Sequence, residues 1–507
     1  MSSIKALAKQ TFIYGLSSIV GRFLNYLLVP LYVYTFQPHE YGIVTEYYAY
    51  AVILQIILTY GIETGFFRFV KNSDNHFEVF STAFISLFMS SSVFLIFTLM
   101  FSKKISFLLD YNTSLYTILF AFILFFDTIT TIFFANLRAQ NKPLKFASLK
   151  LINIFTNILL NLFFILLCPY LIKKGLNLNL IYNPHIGVAY IFISNLIASL
   201  LSFIIFIPYL FKHTLIFNLK LYKNLLTYSL PLLFTGLIGA FIETADRIFI
   251  KRFTFIPENI VDSNNYILHQ LGVYGAVTKI AVIIILFIQA FRFAAEPFLF
   301  SISNDNEKRN GVFKDIVKYF LIFSFTVFLF IMLNISIFKY FVSPKYYEGL
   351  SILFPYMLSR ILYGLFFILS FWYKLFDKNK KSIYIYIIGA IFLIILDIIF
   401  IPLFGYLAAA WAIFLTYFLM TIISYILSRK YLMTNYNWKY LSLFIFIPIL
   451  IYLFSTFINI KNSIISLFIK NFIFLLYIFI VLKLEPKMLN SIIQFIKNFF
   501  YEHKYKK

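Results

Sequence analysis

The sequence is poor in charged residues and has almost no cysteine. Only 12% of its 507 residues are charged, whereas about a quarter of a soluble globular protein is charged, and this difference excludes a soluble enzyme. The single cysteine, Cys168, excludes a disulfide framework and a thiolate metal site. The sequence also lacks a Walker loop and any His-Glu-x-x-His or Gly-x-Ser-x-Gly segment. Transport driven by this chain's own ATP hydrolysis is therefore excluded, and we expect no enzymatic activity.

Long hydrophobic runs dominate the sequence instead. Hydrophobic residues make up 62% of the chain, and its mean hydropathy is +0.88. A membrane-spanning helix needs roughly 20 mainly apolar residues, and runs of that length recur along the chain. Because these runs are continuous rather than alternating with polar residues, they favour helices over the strands of a membrane barrel. The sequence therefore predicts an all-α integral membrane protein.

Acidic residues are scarce relative to basic ones. The chain has 43 Lys and Arg residues against 20 Asp and Glu residues, for a net charge of +23. In a soluble chain such an excess would suggest nucleic-acid binding. In a membrane protein it is explained by cytoplasmic loops, which collect Lys and Arg. We therefore expect membrane lipids around the helices and no nucleic-acid partner.

The apolar runs divide into fourteen predicted spans, separated by short polar segments. The spans are 11–34, 42–66, 79–102, 114–136, 147–172, 187–209, 225–250, 271–295, 313–338, 350–371, 383–401, 406–428, 438–458 and 463–483. Between spans 11 and 12, Pro402-Leu403-Phe404-Gly405 predicts a very tight turn. Loops on the side of the N-terminus hold most of the Lys and Arg residues, which predicts that both termini are cytoplasmic.

Two sequence segments recur with nearly the same separation. Tyr41-Gly42-Ile43-Val44-Thr45-Glu46 opens span 2, and Tyr274-Gly275-Ala276-Val277-Thr278-Lys279 opens span 8. A weaker similarity relates Ala139-Gln140-Asn141-Lys142 after span 4 to Asp377-Lys378-Asn379-Lys380 after span 10. Because six spans separate the two copies, the halves cross the membrane in the same sense and form a parallel repeat. Two such six-helix lobes could enclose a central cavity and rock around it, which is alternating access.

The repeat predicts four regions in the chain. Residues 1–215 form an N-terminal six-helix lobe, and residues 216–430 form a C-terminal six-helix lobe. Residues 431–484 add two transmembrane helices. Residues 485–507 carry apolar side chains at helical spacing between lysines, which predicts a cytoplasmic amphipathic tail along the inner leaflet.

Three charged residues lie deep within predicted spans. Arg22, Asp127 and Arg360 fall in spans 1, 4 and 10, where a charge costs about 2.5–3.5 kcal/mol on insertion scales. None has an oppositely charged residue three or four positions away, so each needs a partner on another helix or water. Two interpretations stay open for the arginines: they line a functional cavity, or they form structural pairs, such as Arg22 with Asp127. Asp127 is our first candidate for ion or proton coupling.

Two further pairs of charges have the spacing of ion pairs along one helix face. Glu243 and Arg247 are four residues apart on span 7, as are Arg292 and Glu296 on span 8. We interpret both as intrahelical ion pairs, with a role in the cavity as the alternative. Asp246, adjacent to Arg247, is left without a partner in this scheme and is a further candidate for coupling or gating.

Other charges lie near the ends of spans 2 and 8. Glu63 and Arg68 are at the cytoplasmic end of span 2, where long side chains can reach water. The repeat aligns Glu63 with Glu296, which makes both candidates for gating. Lys279 and Glu46 lie near the outer ends of spans 8 and 2, and either a pair between the repeats or a place on the cavity rim is consistent with the sequence.

In their order and spacing, these features resemble the polysaccharide transporter family of the multidrug, oligosaccharidyl-lipid and polysaccharide exporter superfamily. The resemblance covers nearly the whole chain and includes the six-plus-six-plus-two arrangement of spans. It also rests on three segments that are similar to recurrent segments of that family. These are His39-Glu40-Tyr41-Gly42, Leu137-Arg138-Ala139-Gln140-Asn141-Lys142 and Asp246-Arg247-Ile248.

The resemblance implies a flippase in the bacterial inner membrane. Members of the family move a lipid-linked oligosaccharide, usually on undecaprenyl pyrophosphate, from the cytoplasmic to the periplasmic leaflet. The product serves surface polysaccharide biosynthesis, such as that of the O-antigen of lipopolysaccharide. The implied partners are the lipid-linked oligosaccharide, a polysaccharide polymerase and other assembly proteins. No cofactor is implied beyond a coupling Na⁺ or H⁺.

The resemblance also implies roles for individual arginines. In related lipid II flippases, cavity arginines on spans 1, 2 and 8 are thought to bind the pyrophosphate, which implies that Arg22 and Arg292 do so here. Arg68 lies too close to the end of span 2 to match well. We extend the head-group hypothesis to Arg360, Arg247 and Lys279, because cationic side chains, and the planar fork of arginine above all, suit phosphate oxygens.

Two other classes of protein remain open from the sequence. A cation-coupled multidrug or small-molecule exporter of the same superfamily would share the repeat, but it usually has twelve spans. A membrane glycosyltransferase or polymer ligase would use a similar lipid-linked sugar. Such an enzyme would normally need a sizeable outer loop with catalytic residues, and the longest candidate, about 253–270, is short.

Overall fold

The structure is a computed structural model of the chain. It describes residues 15, 19–71, 73, 75–211, 214–301, 306–376, 378–431, 436–457, 462–486, 490 and 494. Within these residues all regular secondary structure is helical. Most of the predicted tail and residues 11–14 and 16–18 of the first predicted span lie outside the described residues.

Fourteen helices of the described chain correspond to the fourteen predicted spans, which confirms the predicted all-α membrane fold. They are α1 (Ile19–Thr35), α2 (Pro38–Lys71), α3 (His76–Met100), α4 (Leu115–Ala139), α5 (Pro143–Lys173), α6 (Ala189–Leu210), α7 (Leu219–Phe253), α8 (Ser263–Phe291), α9 (Gly311–Leu333), α10 (Pro344–Leu369), α11 (Lys381–Phe404), α12 (Tyr406–Ser428), α13 (Trp438–Phe457) and α14 (Ile464–Leu484). In the described part of the chain, thirteen are long and apolar enough to cross a membrane, and α1 is shorter.

Polar side chains fix where several of these helices begin. Asn75, Asn218 and Asp262 each accept a hydrogen bond from a backbone N–H in the first turn of α3, α7 and α8. At the start of α2, the Glu40 carboxylate accepts the backbone N–H of Gln37 at 2.8 Å. These contacts satisfy donors that a helix start otherwise leaves unpaired.

Several helices are interrupted or end sharply. In α2 the helical path breaks at Tyr60 and Gly61, which both have positive φ. A π-helical turn occupies Phe163–Leu167 in α5, and a 3-10 turn occupies Thr278–Ala281 in α8. Only Gly405, with φ of 55°, separates α11 from α12, and glycine adopts this conformation without steric cost. The predicted tight turn is therefore confirmed.

The same helix neighbours recur in the two halves of the chain. In the first half α3 packs on α4, α4 on α6, and α5 on α6. In the second half the corresponding helices, six positions later, form the corresponding contacts: α9 with α10, α10 with α12, and α11 with α12. This is the packing expected of a parallel repeat. The domain limits given above stay predictions, because packing alone does not set them.

The halves meet most closely where α2 crosses α8, within the segments that carry the repeated motif. Glycines make this approach possible. A Cβ atom added at Gly42 would lie 2.1 Å from the carbonyl oxygen of Leu268, and one added at Gly272 would lie 1.8 Å from that of Pro38. Backbone therefore packs directly against backbone at this crossing.

The two appended helices pack mainly against α9. Asn334, which follows α9, exchanges side-chain hydrogen bonds with Asn471 of α14 at 2.8 and 3.2 Å. At the other end of the pair, Lys318 Nζ lies 2.9 Å from a carboxylate oxygen of Glu485, which is itself buried. The contacts attach α13 and α14 to the outside of the second half, away from the α2–α8 crossing.

Candidate functional site

A polar cavity of about 1030 Å³ lies between the two halves. Helices α1, α2, α5 and α6 of the first half and α7, α8 and α10 of the second half contribute to its wall. Its charged and amide lining residues are Arg22, Asn25, Asn153, Asn157, Asn195, Glu243, Arg247, Lys279, Gln289 and Arg360. Four cations and one acid therefore face a space enclosed by membrane helices.

Arg360 of α10 is held by an acid on another helix. Its Nη1 atom lies 2.6 Å from Oε2 of Glu243 on α7, and the residue is only 4% exposed. The rings of Tyr356 and Tyr417 lie 4.8 and 5.4 Å from the guanidinium carbon. The Tyr417 hydroxyl of α12 also donates to the Glu243 carboxylate. Arg360 therefore both lines the cavity and forms a pair between helices, and its functional role stays a prediction.

The predicted ion pair between Glu243 and Arg247 is wrong. Arg247 Nη1 donates to the backbone carbonyl oxygen of Glu243 at 3.0 Å, and its ion pair is with Asp246, at 2.9 Å. The side chain of Glu243 is instead engaged by Arg360.

The predicted lack of a partner for Asp246 is also wrong. Besides pairing with Arg247, Asp246 accepts a 2.5 Å hydrogen bond from the Tyr274 hydroxyl, and it is 1% exposed. Helical spacing alone missed this arrangement, because an arginine side chain is long enough to fold back onto the adjacent residue.

Arg22 and Lys279 are the two cations of the cavity that remain without an ionic partner among the described residues. Neither has a described carboxylate oxygen within 4.0 Å. Lys279 Nζ lies 5.6 Å from the centre of the Tyr26 ring, also on the cavity wall. The suggested pair of Arg22 with Asp127 is therefore wrong. The charges of Arg22 and Lys279 are therefore available to a ligand in the cavity.

A second cavity of about 530 Å³ lies within the first half. It shares Tyr48, Val52, Asn153 and Asn195 with the central cavity, so the two are contiguous. Its charged lining residues are Glu63, Asp127, Arg138 and Lys150.

The two acids of this second cavity differ in their partners. Asp127 accepts a 2.6 Å hydrogen bond from Ser199 of α6, and no described Lys or Arg nitrogen lies within 4.0 Å of it. Glu63 forms an ion pair with Arg138 of α4. About a third of the Glu63 side chain is also exposed, so the interpretation that it reaches water stays open. Arg68 lies outside both cavities, with its guanidinium 4.2 Å from the centre of the Tyr228 ring.

The side chains of Arg292 and Glu296 lie outside the part of the chain whose side chains are described. Their backbone belongs to a helical segment, Val282–Ser301, that continues α8. The intrahelical pair of Arg292 with Glu296, and the roles assigned to both, stay predictions.

Sequence reasoning missed a polar cluster at the end of the molecule where α2 and α8 begin. Glu46 of α2 and Lys251 of α7 are both buried, and their Oε2 and Nζ atoms lie 3.7 Å apart. Lys251 also donates to Asn264 at 2.7 Å, and Tyr111 donates to Glu46 at 2.5 Å. Burial and the nearby Glu46 carboxylate raise the pKa of Tyr111, which keeps the hydroxyl a donor. Glu46 is therefore paired with Lys251 and not with Lys279.

Asp397 of α11 was also missed. It is fully buried, and neither carboxylate oxygen receives a hydrogen bond from a described residue. An ionised carboxylate in this position would be costly, so Asp397 is expected to be protonated or to bind a cation. A lone acid within an apolar span was the signal in the sequence that could have revealed it.

Comparisons with known proteins agree with this architecture. The family model for "Polysaccharide biosynthesis protein" matches residues 7–303, whereas no curated protein matches the sequence. The chain is similar in structure to the lipid II flippase MurJ in an inward closed conformation, with 17% sequence identity, a TM-score of 0.70 and coverage of 93% of this chain and 99% of that chain.

Two structures of multidrug resistance MATE family transporters of the MOP superfamily are also similar. The inward-facing one has 14% identity and a TM-score of 0.62, covering 83% of this chain and 97% of that chain. The outward-facing one has 12% identity and a TM-score of 0.53, covering 83% and 95%. At these identities the three structures establish the fold of this chain.

Proposed function

The chain belongs to the polysaccharide biosynthesis protein family, and we propose that it is a flippase that moves a lipid-linked oligosaccharide from the cytoplasmic to the periplasmic leaflet. The carrier is undecaprenyl pyrophosphate, and the product enters surface polysaccharide, such as the O-antigen of lipopolysaccharide, through a polymerase. The membrane is the bacterial inner membrane. No covalent step is involved.

One observation carries this proposal: a polar cavity among membrane helices that presents two cations, Arg22 and Lys279, without an ionic partner among the described residues. A pyrophosphate carries at least two negative charges and cannot cross hydrocarbon without compensation. Arg247 and Arg360 also line the cavity, and their own acids already neutralise them in part. The four side chains together give the cavity an excess of positive charge that matches an anionic head group, and Arg292 is the fifth residue that we assign to this role.

The proposal requires that the cavity open to each side in turn. With both termini in the cytoplasm, α2 and α8 begin on the periplasmic side. The polar cluster of Glu46, Lys251, Tyr111 and Asn264 then closes the periplasmic end by joining α2 to α7 and α8. Release of substrate to the periplasm requires these contacts to separate.

The fold alone is compatible with a drug exporter as well. The charge of the cavity separates the two functions, because many drugs handled by exporters are cationic and would be repelled by four basic side chains. Binding of an anionic lipid carrier is favoured by the same charges.

Replacing Arg22 with Glu tests the proposed function. We expect flipping to fall by about ten- to a hundredfold, because one charge-assisted contact is lost and a repulsion is added. The measurement is translocation of fluorescent undecaprenyl-pyrophosphate disaccharide in vesicles containing the purified protein, together with restoration of surface polymer in a strain that lacks its flippase. Arg68→Glu is the matched control, because Arg68 lies outside both cavities. Wild-type flipping by Arg22→Glu would remove Arg22 from the site.

Coupling to an ion gradient is assigned to Asp127. Its carboxylate lines the second cavity and accepts a hydrogen bond from a hydroxyl, and no described Lys or Arg nitrogen lies within 4.0 Å of it. The other candidates differ: Glu63 and Asp246 form ion pairs, and Glu296 stays a prediction. We expect an imposed proton or sodium gradient to accelerate flipping by the wild type several-fold, and Asp127→Asn to flip at the gradient-free rate under both conditions. The variant Asp397→Asn is the comparison, because it removes a different buried acid. Loss of the gradient response in Asp397→Asn but not in Asp127→Asn would reject the assignment.

A further inference from the structure

The wall of the central cavity differs in chemistry between its two halves. Three of its four cations, Arg247, Lys279 and Arg360, lie on α7, α8 and α10 of the second half. The facing helices α5 and α6 contribute no charged residue to this cavity and instead present the carboxamides of Asn153, Asn157 and Asn195. Arg22 on α1 is the single cation that the described first half adds. One side of the cavity thus carries three cations and one acid, Glu243, and the other is mainly neutral and polar.

Two of these carboxamides are held in place by bonds to their nitrogen atoms. Asn153 Nδ2 donates to the Ala198 carbonyl oxygen at 3.0 Å and to Ser202 Oγ at 2.9 Å. Asn195 Nδ2 donates to the Tyr48 hydroxyl at 2.6 Å. The carbonyl oxygens of Asn153 and Asn195 receive no hydrogen bond from any residue that the structure describes. Each is therefore a pre-positioned acceptor on the cavity wall.

Asn157 presents the complementary group. Its Oδ1 atom accepts a hydrogen bond from Asn161 Nδ2 at 3.0 Å, so its amide nitrogen is the group left to donate. The wall thus offers acceptors and a donor side by side. Sugar hydroxyls, which both donate and accept, require this combination.

An aromatic surface lies next to the carboxamides. The Tyr48 ring is stacked on Phe192, with centroids 5.9 Å apart and an interplanar angle of 10°, and Tyr48 is 36% exposed. The stacking fixes the ring, and the exposed part of Tyr48 lines the cavity. The apolar C–H face of a pyranose packs well on such an aromatic surface. Because Tyr48, Asn153 and Asn195 line both cavities, this wall also leads into the second cavity.

We propose that Tyr48, Asn153, Asn157 and Asn195 form the glycan subsite, which binds the uncharged sugars next to the pyrophosphate, while the cations opposite bind the pyrophosphate. The second cavity receives the sugars that follow along the chain. This assignment rests on the proposed flippase function and deepens it, because it says which half of the protein selects the glycan. The specificity for the sugar lies in α2, α5 and α6, and the general affinity for the lipid carrier lies in Arg22 of α1 and in the cations of α7, α8 and α10.

Binding of two probes by the full-length protein in nanodiscs tests the assignment. One probe is undecaprenyl pyrophosphate, and the other is the same lipid carrying a neutral N-acetylhexosamine disaccharide. We expect the wild type to bind the sugar-bearing probe at least tenfold more tightly. In the double variant Asn157→Ala/Asn195→Ala we expect about a tenfold loss of affinity for the sugar-bearing probe and none for the sugar-free probe, because two neutral hydrogen bonds are removed. Lys279→Ala should weaken the binding of both probes alike.

The controls separate failure of this inference from failure of the proposed function. Asn471→Ala removes a membrane carboxamide far from the cavity and should change neither affinity. Tyr48→Phe keeps the stacked ring and should lower only the affinity for the sugar-bearing probe. Equal binding of both probes by the wild type, or equal loss of both in the double variant, would overturn the glycan subsite while leaving the flippase intact. Binding of neither probe by the wild type would overturn the proposed function itself.

Discussion

Replacing Glu243 with Ala is expected to lower the free energy of unfolding by about 3 kcal/mol and to abolish flipping. Arg360 is 4% exposed and would be left without its carboxylate partner, and breaking a buried ion pair from one side costs about 3–5 kcal/mol. The low end of this range of energies applies because about a third of the Glu243 side chain is exposed and it lines the cavity. Flipping is lost because the guanidinium no longer has the position that Glu243 and Tyr417 give it.

A double variant provides the control for this prediction. Replacing the whole pair, as Glu243→Leu/Arg360→Met, removes both buried charges and is expected to recover most of the lost stability. It should not recover flipping, because a cavity cation is gone. The measurements are thermal unfolding of the purified protein and vesicle flipping. If the single variant Glu243→Ala melted like the wild type, the two side chains would not depend on each other, and the proposed role of the pair would be wrong.

Replacing Gly272 with Leu is expected to prevent the protein from folding. Even the Cβ atom would lie 1.8 Å from the Pro38 carbonyl oxygen and 2.9 Å from the Gly42 nitrogen. Both are backbone atoms and cannot move by a change of rotamer, so α2 and α8 would have to separate. Overpacking costs about 1–3 kcal/mol even where side chains can yield, and we expect a larger loss here. The yield of monodisperse protein and its melting temperature measure the effect.

The control for this prediction is Gly311→Ala, in the second turn of the helix Asn306–Leu333 that contains α9. A Cβ atom at Gly311 would meet nothing within 4 Å. Alanine favours a helix over glycine by about 1 kcal/mol, so this variant should be as stable as the wild type or slightly more stable. Normal yield and melting of Gly272→Leu would show that the halves are not in contact at this crossing.

The membrane fold was predictable because its physical signal is strong and local. Each membrane span is an apolar run in the sequence, and the structure has a helix for every predicted span. The repeat was predictable from Tyr41-Gly42 and Tyr274-Gly275, but the spatial relation of its two copies was not. The sequence did not reveal that the two copies of the motif pack against each other, with Gly275 facing Thr45.

The charge pairs were harder to predict, because they depend on which helices are neighbours. Helical spacing led us to pair Glu243 with Arg247, whereas the partner of Glu243 is Arg360, on another helix. The same limit applies to Glu46, whose partner Lys251 lies on α7. Positions along one helix were sufficient to identify the cavity candidates Arg22 and Arg360. Only the packing of the helices shows that Arg360 is paired with Glu243, whereas no described acid pairs with Arg22.

The partnership of Glu46 with Lys251 has a consequence for biogenesis. The two residues are separated by about 200 residues of chain, which a ribosome adding about 5–20 residues per second takes roughly 10–40 s to make. During that interval the first six helices enter the bilayer with an acid whose cation has not yet been synthesised. The nascent first half therefore cannot reach its final arrangement alone. Maturation of the early helices has to await the insertion of α7, so the order of translation becomes part of how this protein assembles.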